Sequence, residues 1–122
     1  MESHESVAVV LVDISGTIQY WSTGATLLFG HANSVGQTLD VIVPEEFREQ
    51  HWSGFRLAME TGVSEESGGR FNIPVRCSDD KVRSFPGTFS VLWDGRGAAV
   101  GGVGTWTRRR GDEEPFTPVA PL

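Results

Sequence analysis

The closing strand-like runs constrain the fold most. Three stretches rich in β-branched and aromatic residues, Arg70 to Cys77, Phe85 to Trp93 and Ala98 to Thr107, follow one another with turn chemistry between them at Ser78-Asp79-Asp80 and Asp94-Gly95-Arg96-Gly97. Turns this short return the chain alongside itself, so the runs predict an antiparallel meander of three strands. The start of the chain repeats the pattern. An apolar run from Val7 to Val12 leads into turn chemistry at Asp13 to Gly16, and strand character resumes over Thr17-Ile18-Gln19-Tyr20-Trp21. That predicts an opening hairpin.

Helical signals lie between the hairpin and the meander. Ser22 or Thr23 is placed to cap a short helix through Ala25, Leu27, Leu28 and Phe29, which Gly30 ends by accepting a left-handed conformation. From His31 to Pro44 the pattern is irregular and predicts turns and single helical turns. A longer helix is expected to start at Pro44, with Glu45 and Glu46 at its positive end, and to stop at Gly62. On that helix Phe47, His51, Phe55 and Ala58 share one narrow sector and Arg56 points the other way, while Trp52 and Met59 sit at the edge of the apolar face as packing residues. The expected architecture is α+β: one five-stranded antiparallel sheet with short helices and one longer helix on one face. Helices and sheet then enclose a small apolar chamber, lined by Phe55, Phe89 and Val91 wherever side chains do not fill it. The opposite sheet face, with apolar groups from Val10, Val12, Trp93 or Trp106, is expected to mediate a homodimer or heterodimer.

The chain of 122 residues is one domain's length, and its 7 Phe and 4 Trp supply enough apolar side chain for a core. We assign residues 1–110 to the domain. Residues 111–122, with Pro115, Pro118 and Pro121 among acidic side chains, read as a disordered tail. A formal net charge of -6 argues against nucleic-acid binding, and the one basic run, Arg108-Arg109-Arg110, is answered by Asp112, Glu113 and Glu114. Cys77 is the lone cysteine, which excludes an internal disulfide and fits a reducing cytoplasm. No apolar stretch approaches the ~20 residues that span a bilayer, and Met1 to Glu5 lacks the basic start of a signal peptide, so a soluble, cytoplasmic protein is expected. His4, His31 and His51 lack metal-site spacing, and neither a phosphate loop nor a nucleophile elbow is present. The chain does not read as an enzyme.

Certain residues resemble the PAS family of sensory domains. Asp13-Ile14-Ser15-Gly16-Thr17-Ile18 is similar to that family's "D-x-x-G-x-I" hairpin, and Tyr20-Trp21-Ser22-Thr23-Gly24-Ala25-Thr26-Leu27-Leu28-Phe29-Gly30 to its "W-N-x-A-x-x-L-F-G". The similarity continues through Val35 to Leu39, Val43-Pro44-Glu45 and Gly104-Thr105-Trp106-Thr107. It implies a module that binds a small ligand, a cofactor or another PAS domain and relays a conformational change to an output partner. That partner is expected on a separate protein or outside this chain. Thr105-Trp106-Thr107 lacks the Asp of the family's "D-x-T" output motif.

A subset of the family, the haem-binding oxygen sensors, is similar at two further places. The spacing of Pro44, Arg48 and His51 resembles their haem motif, which implies His51 as axial ligand of haem b iron, and Arg70 resembles the Arg that reaches the bound gas. Leu57 departs from it, standing where those sensors pair an Arg with a haem propionate. A flavin photoreceptor would need a reactive Cys at the start of the long helix, where this chain reads Val43-Pro44-Glu45-Glu46-Phe47. Arg70 also reads as a strand residue paired with Glu65 or Glu66. Three functions stay open: a haem gas sensor, a PAS domain for another small apolar molecule, and a ligand-free PAS interaction module in signalling or transcription regulation.

Overall fold

The computed structural model describes residues 7–64 and 70–108. The tail expected at 111–122, most of the basic run and the Glu65 and Glu66 partners expected for Arg70 lie outside the described residues. Strands β1 (Val7–Asp13) and β2 (Ile18–Trp21) form the opening hairpin, and β3 (Arg70–Arg76), β4 (Val82–Trp93) and β5 (Ala99–Thr107) form the meander. All pairings are antiparallel, in one sheet of order β2-β1-β5-β4-β3. Bringing β5 between β1 and β4 makes first and last strands central neighbours, so the sheet closes only when both ends of the chain are in place.

Helix α1 (Thr23–Phe29) begins where expected: the Ser22 hydroxyl accepts from Ala25 N, and Gly30 ends the helix at φ 85°. Ser22 also fixes the helix to the sheet, because its Oγ accepts from Val9 N at 2.8 Å. Pro44 to Phe47 forms a 3-10 turn ahead of α2 (Arg48–Thr61), which Gly62 stops at φ 75°. The boundary moves because the first turn closes i to i+3, Phe47 N donating to Pro44 O.

The hairpin turn is organised by one carboxylate. Asp13 Oδ1 accepts from Ser15 N, Ser15 Oγ and Thr17 N, and Oδ2 accepts from Gln19 Nε2. These bonds, the Ser15 hydroxyl foremost, hold its pKa below the ordinary carboxylate range. Asp13→Ala is expected to cost about 1 kcal/mol, a modest figure because the site is wet. A depressed folded-state pKa means that this contribution is present above the ordinary carboxylate pKa and lost as pH falls through the folded one. The urea midpoints of wild type and variant should therefore differ at neutral pH and converge as pH falls through the depressed folded-state pKa.

The strand register corrects one expectation. Ala8, Val10 and Val12 alternate inward under the helices and are at most 5% exposed, and Trp106, opposite Ala8, is buried with them. The period of two then sends Val9, Leu11, Val103 and Thr105 to the other face. Val10, Val12 and Trp106 therefore cannot carry an outer-face dimer. Trp93 is 52% exposed, but its indole N–H donates to Gly62 O at the end of α2, at 2.8 Å. Among the described residues no helix is long and apolar enough to cross a membrane.

Candidate functional site

The stripe on α2 faces the inner side of the sheet. His51, Phe55 and Ala58 recur at four and three residues, and together with Pro44 and Phe47 they roof a cavity of ≈ 110 Å³. Val10 and Val12 of β1, Ile73 of β3, Phe89 of β4 and Trp106 of β5 form its floor. Two glycines of β5 shape that floor. A Cβ on Gly102 would stand 2.7 Å from the Phe89 ring, and one on Gly104 would stand 2.5 Å from the Trp106 ring. Without those side chains the two aromatic rings lie down on the sheet. The clue in the sequence is Gly101-Gly102-Val103-Gly104 inside a strand, since glycine in a strand marks a close approach.

Of the residues expected at the site, His51, Phe55 and Phe89 meet in the wall. Val91 is 2% exposed and belongs to the core, outside the wall. Arg70 opens β3 opposite Thr88, and its side chain is outside what is described. His31 is engaged elsewhere, its Nε2 within 2.9 Å of Arg76 O.

Arg48 and Trp52 act as a clamp beside the cavity. Arg48 donates to the Val43 and Asp40 carbonyls at 3.1 Å each, and Trp52 Nε1 donates to Asp40 Oδ1 at 2.7 Å. The Trp52 ring lies over Gly16, where any Cβ would fall 2.3 Å from it. Gly16 thus serves the hairpin at φ 83° and also makes room for the helix above.

The His51 ring stacks on Phe55, with centroids 6.2 Å apart, and meets Trp52 edge-on at 5.1 Å. Its Nδ1 is buried with no hydrogen-bond partner among the described residues. Burial disfavours the imidazolium and lowers the His51 pKa to about 4, against the opposing pull of Asp40. A folded-state pKa below the unfolded one gives stability that is full above the unfolded value and is lost as pH falls toward the folded one. Between pH 7 and 5 that amounts to roughly 1–2 kcal/mol. His51→Phe should remove this share of the acid sensitivity, seen as a smaller drop in urea midpoint between those two pH values than in wild type.

No family model matches the sequence, and neither does any curated protein. Solved structures do. A PAS domain from Colwellia psychrerythraea is 20% identical with a TM-score of 0.68, covering 82% of this chain and 83% of its own. The PAS domain of a LuxR-family transcriptional regulator from Burkholderia thailandensis, in complex with ethanol, is 16% identical with a TM-score of 0.59, covering 82% and 86%. A flavin-analogue light-oxygen-voltage domain is 18% identical with a TM-score of 0.62, covering 84% and 78%. The chain has the PAS fold.

The PAS chamber of this chain does not fit haem. A cavity of about 150 Å³ accepts benzene, and the ≈ 110 Å³ here is of that order, far below a four-pyrrole macrocycle. The imidazole packs against Phe55 and Trp52. Arg48 is spent on backbone carbonyls, and Leu57, 60% exposed, stands on the solvent side of α2. The PAS resemblance therefore holds at the level of the fold, while Pro44 and His51 line a chamber too small for haem and Arg48 is tied to carbonyls beside it. Cys77 is buried and lies outside the chamber wall.

Proposed function

We propose that this chain is a PAS sensory domain whose chamber takes a small uncharged molecule and whose sheet passes occupancy on to a signalling partner. The observation that carries this reading is the apolar cavity between α2 and the sheet, with a buried and unpartnered imidazole nitrogen in its wall. A core built only for packing closes such space, and a buried polar atom without a partner costs about 1–3 kcal/mol, so both features are retained at a cost. The ethanol-bound PAS domain of the LuxR-family regulator supports a ligand of this size.

The floor supplies the relay. Trp106 and Phe89 lie on β5 and β4, and β5 sits between β1 and β4, so a ligand that displaces either ring acts on the sheet's centre. Only a molecule with different affinity for the two arrangements shifts their balance. Oxygen sensing through haem has no place in this reading.

Benzene and short alcohols titrated into the labelled protein should perturb the amide signals of His51, Ala58, Phe89 and Gly104 and raise the thermal midpoint. Unchanged signals at those positions would leave the chamber a packing defect and favour the ligand-free interaction module.

A further inference from the structure

We propose that the chamber selects a compact, uncharged aromatic molecule carrying one hydroxyl, seated with that hydroxyl on His51 Nδ1; this ligand class presupposes the chamber as the binding site. The volume sets the first limit. At ≈ 110 Å³ the cavity holds a single six-membered ring with minor adjustment, and the Phe89 and Trp106 rings offer such a ring edge and face contacts.

Charge sets the second limit. No Lys, Arg, Asp or Glu is among the described lining residues, and Arg48 is bound to the Asp40 and Val43 carbonyls. An anion or a cation would enter without a counter-ion among the described residues, which burial penalises severely. Burial also holds the His51 imidazole neutral, so the ring offers a hydrogen bond and no charge.

The third limit is the position of the polar group. Of the other described polar side chains in the wall, Thr88 has its Oγ1 within 2.6 Å of Thr105 Oγ1, Ser64 is already engaged in an interaction of its own, and Gln50 is exposed. Trp106 Nε1 is unpartnered, but that side of the indole packs by Gly87, which is no part of the wall, while its benzo edge lies over Gly104, which is. His51 Nδ1 remains as the anchoring atom. In a neutral imidazole that nitrogen is a bare acceptor or an N–H donor according to tautomer, and a hydroxyl answers either.

Phenol, benzene and benzoate titrated into the full chain test this, by calorimetry and by the side-chain ¹⁵N shift of His51. Phenol should bind about tenfold tighter than benzene, benzoate weakest, and phenol should move the Nδ1 resonance. In His51→Phe the phenol advantage should shrink to within about twofold. Should that variant fail to fold, the ¹⁵N shift in the unaltered protein reads the same contact. Equal binding of phenol and benzene, or a silent Nδ1, overturns the hydroxyl anchor while the chamber stands as a ligand site. Preference for benzoate overturns the limit on charge, and failure of all three to bind overturns the chamber and the ligand class together.

Discussion

Phe29→Ala is expected to cost about 3–5 kcal/mol, a large part of the 5–15 kcal/mol that holds a domain of this kind together. Phe29 is 1% exposed at the end of α1. Its ring meets Trp21 at 6.1 Å, Phe85 at 5.3 Å and Trp106 at 5.4 Å, all edge-on, so one side chain joins α1 to β2, β4 and β5. Truncation removes the transfer energy of the ring and leaves three rigid aromatics around a void that they cannot collapse into. Because these partners come from both ends of the chain, the loss should appear as one cooperative transition at a lower urea midpoint. A change below about 1 kcal/mol would mean that the three rings close over the gap.

Gly24→Ala should also destabilise, by a net 2 kcal/mol or about that, although alanine is the better helix former. Propensity favours the substitution by about 1 kcal/mol within a helix. Packing opposes it more strongly. A Cβ on Gly24 would stand 1.9 Å from Val7 O, and that atom is backbone of β1 and cannot rotate away. Relief requires α1 to lift from the strand, which stretches the bond from Val9 N to Ser22 Oγ. Overpacking of this sort costs up to about 3 kcal/mol or more, so the clash outweighs the propensity. Equilibrium urea unfolding reads the sign directly, and a gain in midpoint would show that α1 yields freely.

The two glycines of the opening motifs show how much was legible beforehand. Gly16 and Gly30 read from the sequence as a turn and a helix stop, and both have positive φ. What else Gly16 does, making room for Trp52, depends on a residue 36 positions away, and no local pattern records it. The same holds for Gly24, which reads as an indifferent helix residue until β1 is seen behind it. His51 was placed correctly on the inward stripe because a helix face follows from spacing. The haem reading failed on volume, which spacing does not encode.

The amino-acid order by itself determined the elements and their faces. Five strands and two helices, the caps at Ser22, Gly30 and Gly62, and the inward set Phe55, Ala58 and Phe89 follow from periods of two and 3.6 and from turn chemistry, all of which act over a few residues. Tertiary structure alone decided which sheet face is buried at β1 and β5, where Val10, Val12 and Trp106 turned inward. It also decided how much space remains above Gly102 and Gly104, and that Arg48 is used up on carbonyls. Those outcomes depend on register and on volumes summed over strands distant in sequence. A one-residue shift of register reverses a face, and one ring laid over a glycine sets the size of a cavity.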